Sequence, residues 1–191
     1  MAPTSDVIFD RGLDRFGEVL DQVPADGWDL ASPCEGWTVL DVLGHLSTAL
    51  NMGASLLRGE QPTWPEAERP AHLVTDEPVT FYRASAAACR AALEGADLDV
   101  VMDTPMGPRR VADRLAFPAV DLFVHAWDIG RAIGGEVAAP ADVIEFAHGY
   151  LDPLPTEVTR PAGGAFGPEV DAPADATATE AFVAWTGRDP R

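Results

Sequence analysis

Apolar positions along the chain recur at mixed three- and four-residue spacing over long stretches, and almost none alternate with a period of two. From Val7 to Val23, the residues Val7, Ile8, Leu13, Phe16, Val19, Leu20 and Val23 mark one face of an amphipathic helix that Pro24 stops. A second helix begins after Thr38, an N-cap with Asp41 three residues on in a variant of the capping box, and runs through Leu57 to Gly59. A third spans Glu77 to Glu94 before Gly95. The fourth covers Val111 to Ile133 and ends at Gly134 and Gly135, with Pro118 either kinking it or opening its second half. A shorter fifth helix follows Pro140 and fades at Pro153, and a last short one is predicted from Glu180 to Trp185.

The connections differ in character. Trp28 to Trp37 is a packed loop, in which Pro33 and Gly36 break regular structure while two tryptophans and Leu30 supply apolar area. Gln61 to Pro78 holds four prolines and several acids and reads as a surface connection. Leu98 to Met102 suits a short extended piece, and Pro105-Met106-Gly107-Pro108 a turn. The pattern predicts an all-α protein: a four-helix bundle over residues 1–155, with a Pro/Gly-rich C-terminal extension over 156–191 packed on the same domain.

Composition narrows the partners. The 191 residues suit one core, and 47% hydrophobic with 23% charged residues is an ordinary globular balance. The charge is less ordinary: 31 acids face 13 bases, all of them arginine, for a net −18. Such a surface repels phosphate backbones and anionic headgroups, so neither nucleic acid nor membrane is an expected partner. Cys34 and Cys89 are too few for a disulfide framework, and residues 1–10 carry no basic or apolar targeting pattern. A cytoplasmic protein, monomeric or homodimeric, is expected. Lys-free, Ala- and Arg-rich usage fits a GC-rich bacterial gene.

The candidate chemistry lies on the fourth helix. Its central polar residues, Asp121, His125 and Asp128, fall within about 60° of one another, on one narrow stripe of an otherwise apolar segment. An Asp and a His four residues apart can share one metal ion, and a third ligand is then needed. The same stripe also suits a solvent-facing side. On the second helix His45 stands about 120° from the main apolar line, a position open to a ligand or to a half-exposed structural histidine. His72, in a Pro-rich connector, and His148, with no acid at an evident ligand spacing, are weaker candidates. Cys34 after Pro33 is adequately explained by packing.

Ser32-Pro33-Cys34-Glu35-Gly36-Trp37-Thr38-Val39, then Gly44-His45-Leu46, then Asp121-x3-His125-Ala126-Trp127-Asp128, resemble the mycothiol-dependent maleylpyruvate isomerase family of the DinB-like metal-binding superfamily. Thr104 to Gly107, Phe166 to Val170 and Gly187 to Pro190 are similar to its single-domain actinobacterial branch, so the likeness spans nearly the whole chain.

The resemblance implies a DinB-like four-helix bundle with a divalent metal, Zn2+ first, held by His45, Asp121 and His125. The family's isomerase has Glu where Asp121 stands. Two histidines and one carboxylate leave positions open for a substrate. The implied activity is metal-dependent use of a low-molecular-weight thiol, mycothiol, in S-transfer to a small electrophile or in its isomerisation. That isomerase carries a second, C-terminal domain that 191 residues do not accommodate, so its particular substrate is not expected here. Asp128 is either an outer partner of a ligating imidazole or paired with Arg131 or Arg114; Trp37 and Trp127 either wall the site or pack the core. A thiol-independent metal-dependent hydrolase, lyase or isomerase, and a non-catalytic metal- or ligand-binding bundle, are the alternatives.

Overall fold

The computed structural model describes residues 3–102, 107–160 and 166–191. It is helical almost throughout, with α1 (Ser5–Leu20), α2 (Val39–Leu57), α3 (Pro78–Glu94) and α4 (Val111–Ala132) as the main elements. The shorter α5 (Ala141–Leu151), α6 (Thr156–Thr159) and α7 (Ala178–Trp185) follow. The only paired strands among the described residues are β1 (Val101–Met102) and β2 (Arg109–Arg110), an antiparallel ribbon leading into α4. Residues 105 and 106 of the predicted turn lie outside the described residues. No helix of the described residues is long and apolar enough to cross a membrane.

Helix α1 packs on α4, and α2 on α3. Ile8, Leu13 and Phe16 of α1, Val42, Leu43 and Leu46 of α2, and Leu122, Ala126 and Ile129 of α4 meet in the main core. Tyr82 of α3 enters it and donates its hydroxyl to the Leu13 carbonyl at 2.6 Å. The opposite side of α4 faces a second core, where Val120, Val124 and Trp127 meet Ala147 and Leu151 of α5, Phe182 and Val183 of α7, and Phe166. Helix α4 is therefore buried on both flanks, and its polar stripe is interior instead of solvent-facing. It runs unbroken through Pro118, which has no N–H to return to the Arg114 carbonyl.

Two local devices set the ends of the elements that carry the site. Thr38 and Asp41 form the complete capping box at the start of α2. Asp41, wholly buried, also accepts from Arg69 and from the Ala71 N–H at 3.0 Å, which ties the Pro-rich connector to α2. The connector's 3-10 turn, Pro70–Leu73, lies so close to Gly44 that a Cβ there would collide with the Pro70 carbonyl. The stretch read from the sequence as a surface connection is therefore also a strap: its residues 69–73 are pressed on α2.

Candidate metal centre

The i, i+4, i+7 spacing on α4 sends Asp121, His125 and Asp128 into the interior together, with side chains at most 8% exposed. From α2 comes His45, 24% exposed at the side chain, one residue past the strapped Gly44. His125 Nε2 stands 3.5 Å from Asp121 Oδ1, and His45 Nε2 stands 3.8 Å from Asp121 Oδ2. One ligand atom from each of the three lies within 4.8 Å of the others. Two helices thus deliver the three residues to one point.

The decisive detail is what those atoms lack. Among the described residues, three buried side-chain N or O atoms have no hydrogen-bond partner, and two of them are Asp121 Oδ1 and His125 Nε2. Leaving a buried donor or acceptor unmade costs about 1–3 kcal/mol, so two such atoms facing one another indicate a missing third party. A divalent cation fits: it accepts a carboxylate oxygen and imidazole lone pairs at once.

On the far side of the His125 ring, Nδ1 lies 2.8 Å from Asp128 Oδ2. Arg188, after α7, donates to both Asp128 oxygens, through Nε at 3.3 Å and Nη2 at 3.1 Å. Gly187, at φ +91°, backs onto Gly167 where a Cβ would clash, and this turn admits Arg188 to the interior. Asp128 thus partners the imidazole and an arginine together, but the arginine is Arg188, and neither Arg131 nor Arg114. Cys34 Sγ is 3.2 Å from Asp128 Oδ2 and 3.9 Å from His125 Nδ1. The account of Cys34 as simple packing is therefore corrected: it sits in the polar cluster.

Cys34, His125 and Asp128 also lie close enough to share a cation. That second triad is already partnered, because the Arg188 guanidinium donates to Asp128 at 3.1 Å and to Cys34 Sγ at 3.8 Å, and its charge would repel a cation. The partnerless atoms select His45, Asp121 and His125.

Charges inside the cluster are strongly coupled. Burial alone would lower the His125 pKa, but Asp121 and Asp128 outweigh it and push the ring up to about 10. Burial likewise opposes the charge of Asp121, yet His125 and His45 hold its carboxyl below the ordinary value. Asp121 and Asp128 are therefore ionised at neutral pH, and a cation binding at His125 Nε2 would displace the proton that the two carboxylates otherwise hold on the ring.

Trp37 stands over both histidines, with ring centroids 5.1 Å from His45 and 6.4 Å from His125. Trp64, from the connector, flanks His45 at 5.7 Å. Trp127 points the other way, into the second core. Its place on α4, two residues past His125 and six past Asp121, turns it about 160° from the first and about 120° from the second. His72 lies in the 3-10 turn. His148 contacts Asp152 Oδ2 at 3.1 Å and packs on Trp185, so the view that it has no acid at helical spacing is corrected. No helical period marks Trp64 or Arg188, and the resemblance that took in residues 187–190 gave Arg188 no role.

Two solved structures share this arrangement of helices: the mycothiol-dependent maleylpyruvate isomerase and a histidine-to-alanine variant of it. Their TM-scores are 0.55 and 0.57 at 19% and 18% identity, over 73% of this chain and 65% of theirs. The likeness establishes the fold, a DinB-like helical bundle, and the chain spans about two thirds of the length of those proteins. No curated protein matches the sequence. Residues 9–130, which run from Phe9 in α1 to Gly130 in α4 and include all three clustered ligand candidates, match the mycothiol maleylpyruvate isomerase N-terminal domain, and the chain belongs to that family.

Proposed function

We propose that His45, Asp121 and His125 hold a divalent metal, Zn2+, and that the protein is an enzyme joining a low-molecular-weight thiol, mycothiol, to a small electrophile. The observation that carries this reading is the pair of buried, partnerless atoms, Asp121 Oδ1 and His125 Nε2, with His45 Nε2 beside them. Family membership supports the thiol. When bound, the ion supplies the charge that keeps a coordinated thiol ionised, where a free thiol of pKa about 8.5 is only a few per cent thiolate at pH 7.

The chain's own groups do the rest. Asp128 accepts the His125 Nδ1 proton, which leaves the Nε2 lone pair directed at the Asp121 side, and Arg188 fixes Asp128. Trp37 and Trp64 each pack against the His45 ring and would restrict water there. Asp128 is engaged elsewhere and His148 is held at Asp152, so among the described residues no fourth ligating side chain joins the three. Room therefore remains for the thiol. Its sulfur adds to one end of a conjugated double bond, whose π pair moves into the attached carbonyl as an enolate; protonation of the enolate keeps the sulfur, which is conjugation, and return of the pair after rotation about the former double bond expels the thiolate, which is isomerisation. The protein is expected to act in the cytoplasm on small molecules, with residues 1–155 as the bundle and 156–191 as an extension that supplies Arg188.

Metal analysis of the wild type, His45→Ala and His125→Ala, with calorimetric titration of mycothiol into each, tests the reading. Stoichiometric zinc and mycothiol binding in the wild type, both lost in the variants, support it. Full metal content in both variants overturns the ligand set. Metal without thiol binding overturns the thiol and leaves metal-assisted hydrolysis or isomerisation.

A further inference from the structure

Beside the ligand cluster, and sharing Asp121 with it, a cavity of about 250 Å³ runs between α2 and α4. Its walls are apolar, with Leu50, Met52 and Leu56 from α2 and Leu115, Pro118 and Leu122 from α4. Trp64, which flanks His45, also lines it, so the cavity and the ligand cluster share two residues. Among the described residues, only two charged side chains reach it. One is Asp121; the other is Arg114.

Arg114 is one of four arginines without an ion pair among the described residues, and of these four it is the one on the cavity wall. Nine of the thirteen arginines form an ion pair among the described residues, as 31 acids would suggest. Arg114, half-buried on the cavity wall, has no carboxylate among the described residues. Its Nη1 donates to Met102 Sδ at 3.5 Å, a weak acceptor. Arg114 and Asp121 are seven residues apart on α4, two turns, so they share a face about 10 Å apart along the axis.

The opposite wall carries a second anomaly. Gly53 lies within α2, where glycine weakens a helix, yet its φ is not positive and a Cβ there would meet nothing within 4 Å. Neither backbone conformation nor close packing calls for glycine at this position. What its missing side chain provides is volume in the cavity, which Gly53 lines.

We infer that this cavity binds the electrophilic substrate: a molecule with its reactive end at Asp121, an apolar body of roughly ten carbons, and one anionic group at Arg114. The size follows from volume, since a cavity of about 150 Å³ holds benzene. The polarity follows from the walls, which would leave a second anion or a polar body without partners. The inference rests on the proposed function for the identity of the reactive end. The binding specificity stands on the cavity alone.

The test is calorimetric binding of 4-phenylbutanoate and of its uncharged analogue 4-phenylbutan-1-ol, which needs neither thiol nor turnover. The acid is expected to bind the wild type and to weaken about tenfold in Arg114→Gln, while the alcohol changes less than about twofold. Gly53→Phe, which fills the cavity, is expected to abolish binding of both, whereas Gly53→Ala folds and retains it. Both affinities are expected to persist in His125→Ala, so a failure of the metal and thiol reading leaves them standing. Equal binding of the acid to wild type and Arg114→Gln overturns the assignment of the anion. Loss of the acid in His125→Ala with no effect at Arg114 places the carboxylate at the ligand cluster and overturns the orientation. Undiminished binding to a folded Gly53→Phe overturns the pocket.

Discussion

Arg188 Nη2 donates to Asp128 Oδ2 at 3.1 Å, joining segments 60 residues apart inside the protein. Burial opposes the charge on Asp128, but His125 and Arg188 more than offset it and hold the carboxyl below its usual range. Removing the guanidinium would leave a buried carboxylate short of one cation. Arg188→Gln is expected to lower stability by about 3 kcal/mol, read from urea unfolding, with Arg188→Lys recovering part of the loss.

Asp128 itself acts on the imidazole. In Asp128→Asn the side chain can no longer stabilise the same proton on His125 Nδ1 as a carboxylate does, so the ring loses its fixed orientation toward Asp121. Zinc affinity, measured against a competing chelator, is expected to fall roughly 10- to 100-fold.

The strap over α2 makes a separate prediction. At Gly44 an added methyl would strike the Pro70 carbonyl, which is backbone and cannot swing aside. Gly44→Ala is expected to cost about 1–3 kcal/mol and to loosen the connector that brings Trp64 to His45. A urea midpoint lowered by less than the wild-type experimental scatter would show that the strap is not held there.

Asp41 predicts a pH dependence. Burial raises its pKa, but the N–H groups at Thr38 and Ala71, the Thr38 hydroxyl and Arg69 together bring it below the ordinary value. A folded value below the unfolded one means the stabilisation is fully present above about pH 4 and is lost as pH falls through the folded value. Asp41→Asn is therefore expected to be less stable at pH 7 and to show a shallower loss between about pH 4 and pH 2 than the wild type. Parallel stability curves for the two proteins would remove Asp41 from the account.

What the sequence made legible was what the chain keeps local. The capping box at Thr38 and Asp41, the apolar period of α1, and the stripe of Asp121, His125 and Asp128 each depend on residues within two turns. His45 entered through resemblance, because helical spacing on α2 says nothing of what α4 presents to it. Cys34 and Arg188 lie in segments that the resemblance took in, but it gave them no role, and Trp64 lies outside those segments: each comes from a loop or turn, where position follows from tertiary packing and no period marks the side chain. The stripe on α4 was ambiguous for the same reason, since only the second core, built by α5, α7 and Phe166, decides that it is interior.

Cys34 supplies the sharpest contrast between the two triads that share His125. If the cation bound Nδ1 with Cys34 and Asp128, the thiol would be a ligand, and replacing sulfur by oxygen would weaken zinc greatly. The Arg188 guanidinium stands on that side, and the partnerless atoms stand on the other. Cys34→Ser is accordingly expected to keep stoichiometric zinc with an affinity within about threefold of the wild type, while Asp121→Asn loses most of it. Cobalt substitution provides the spectroscopic readout. Thiolate-to-metal charge-transfer bands in the protein free of added thiol, abolished by Cys34→Ser, would move the cation to the Cys34 side of the ring.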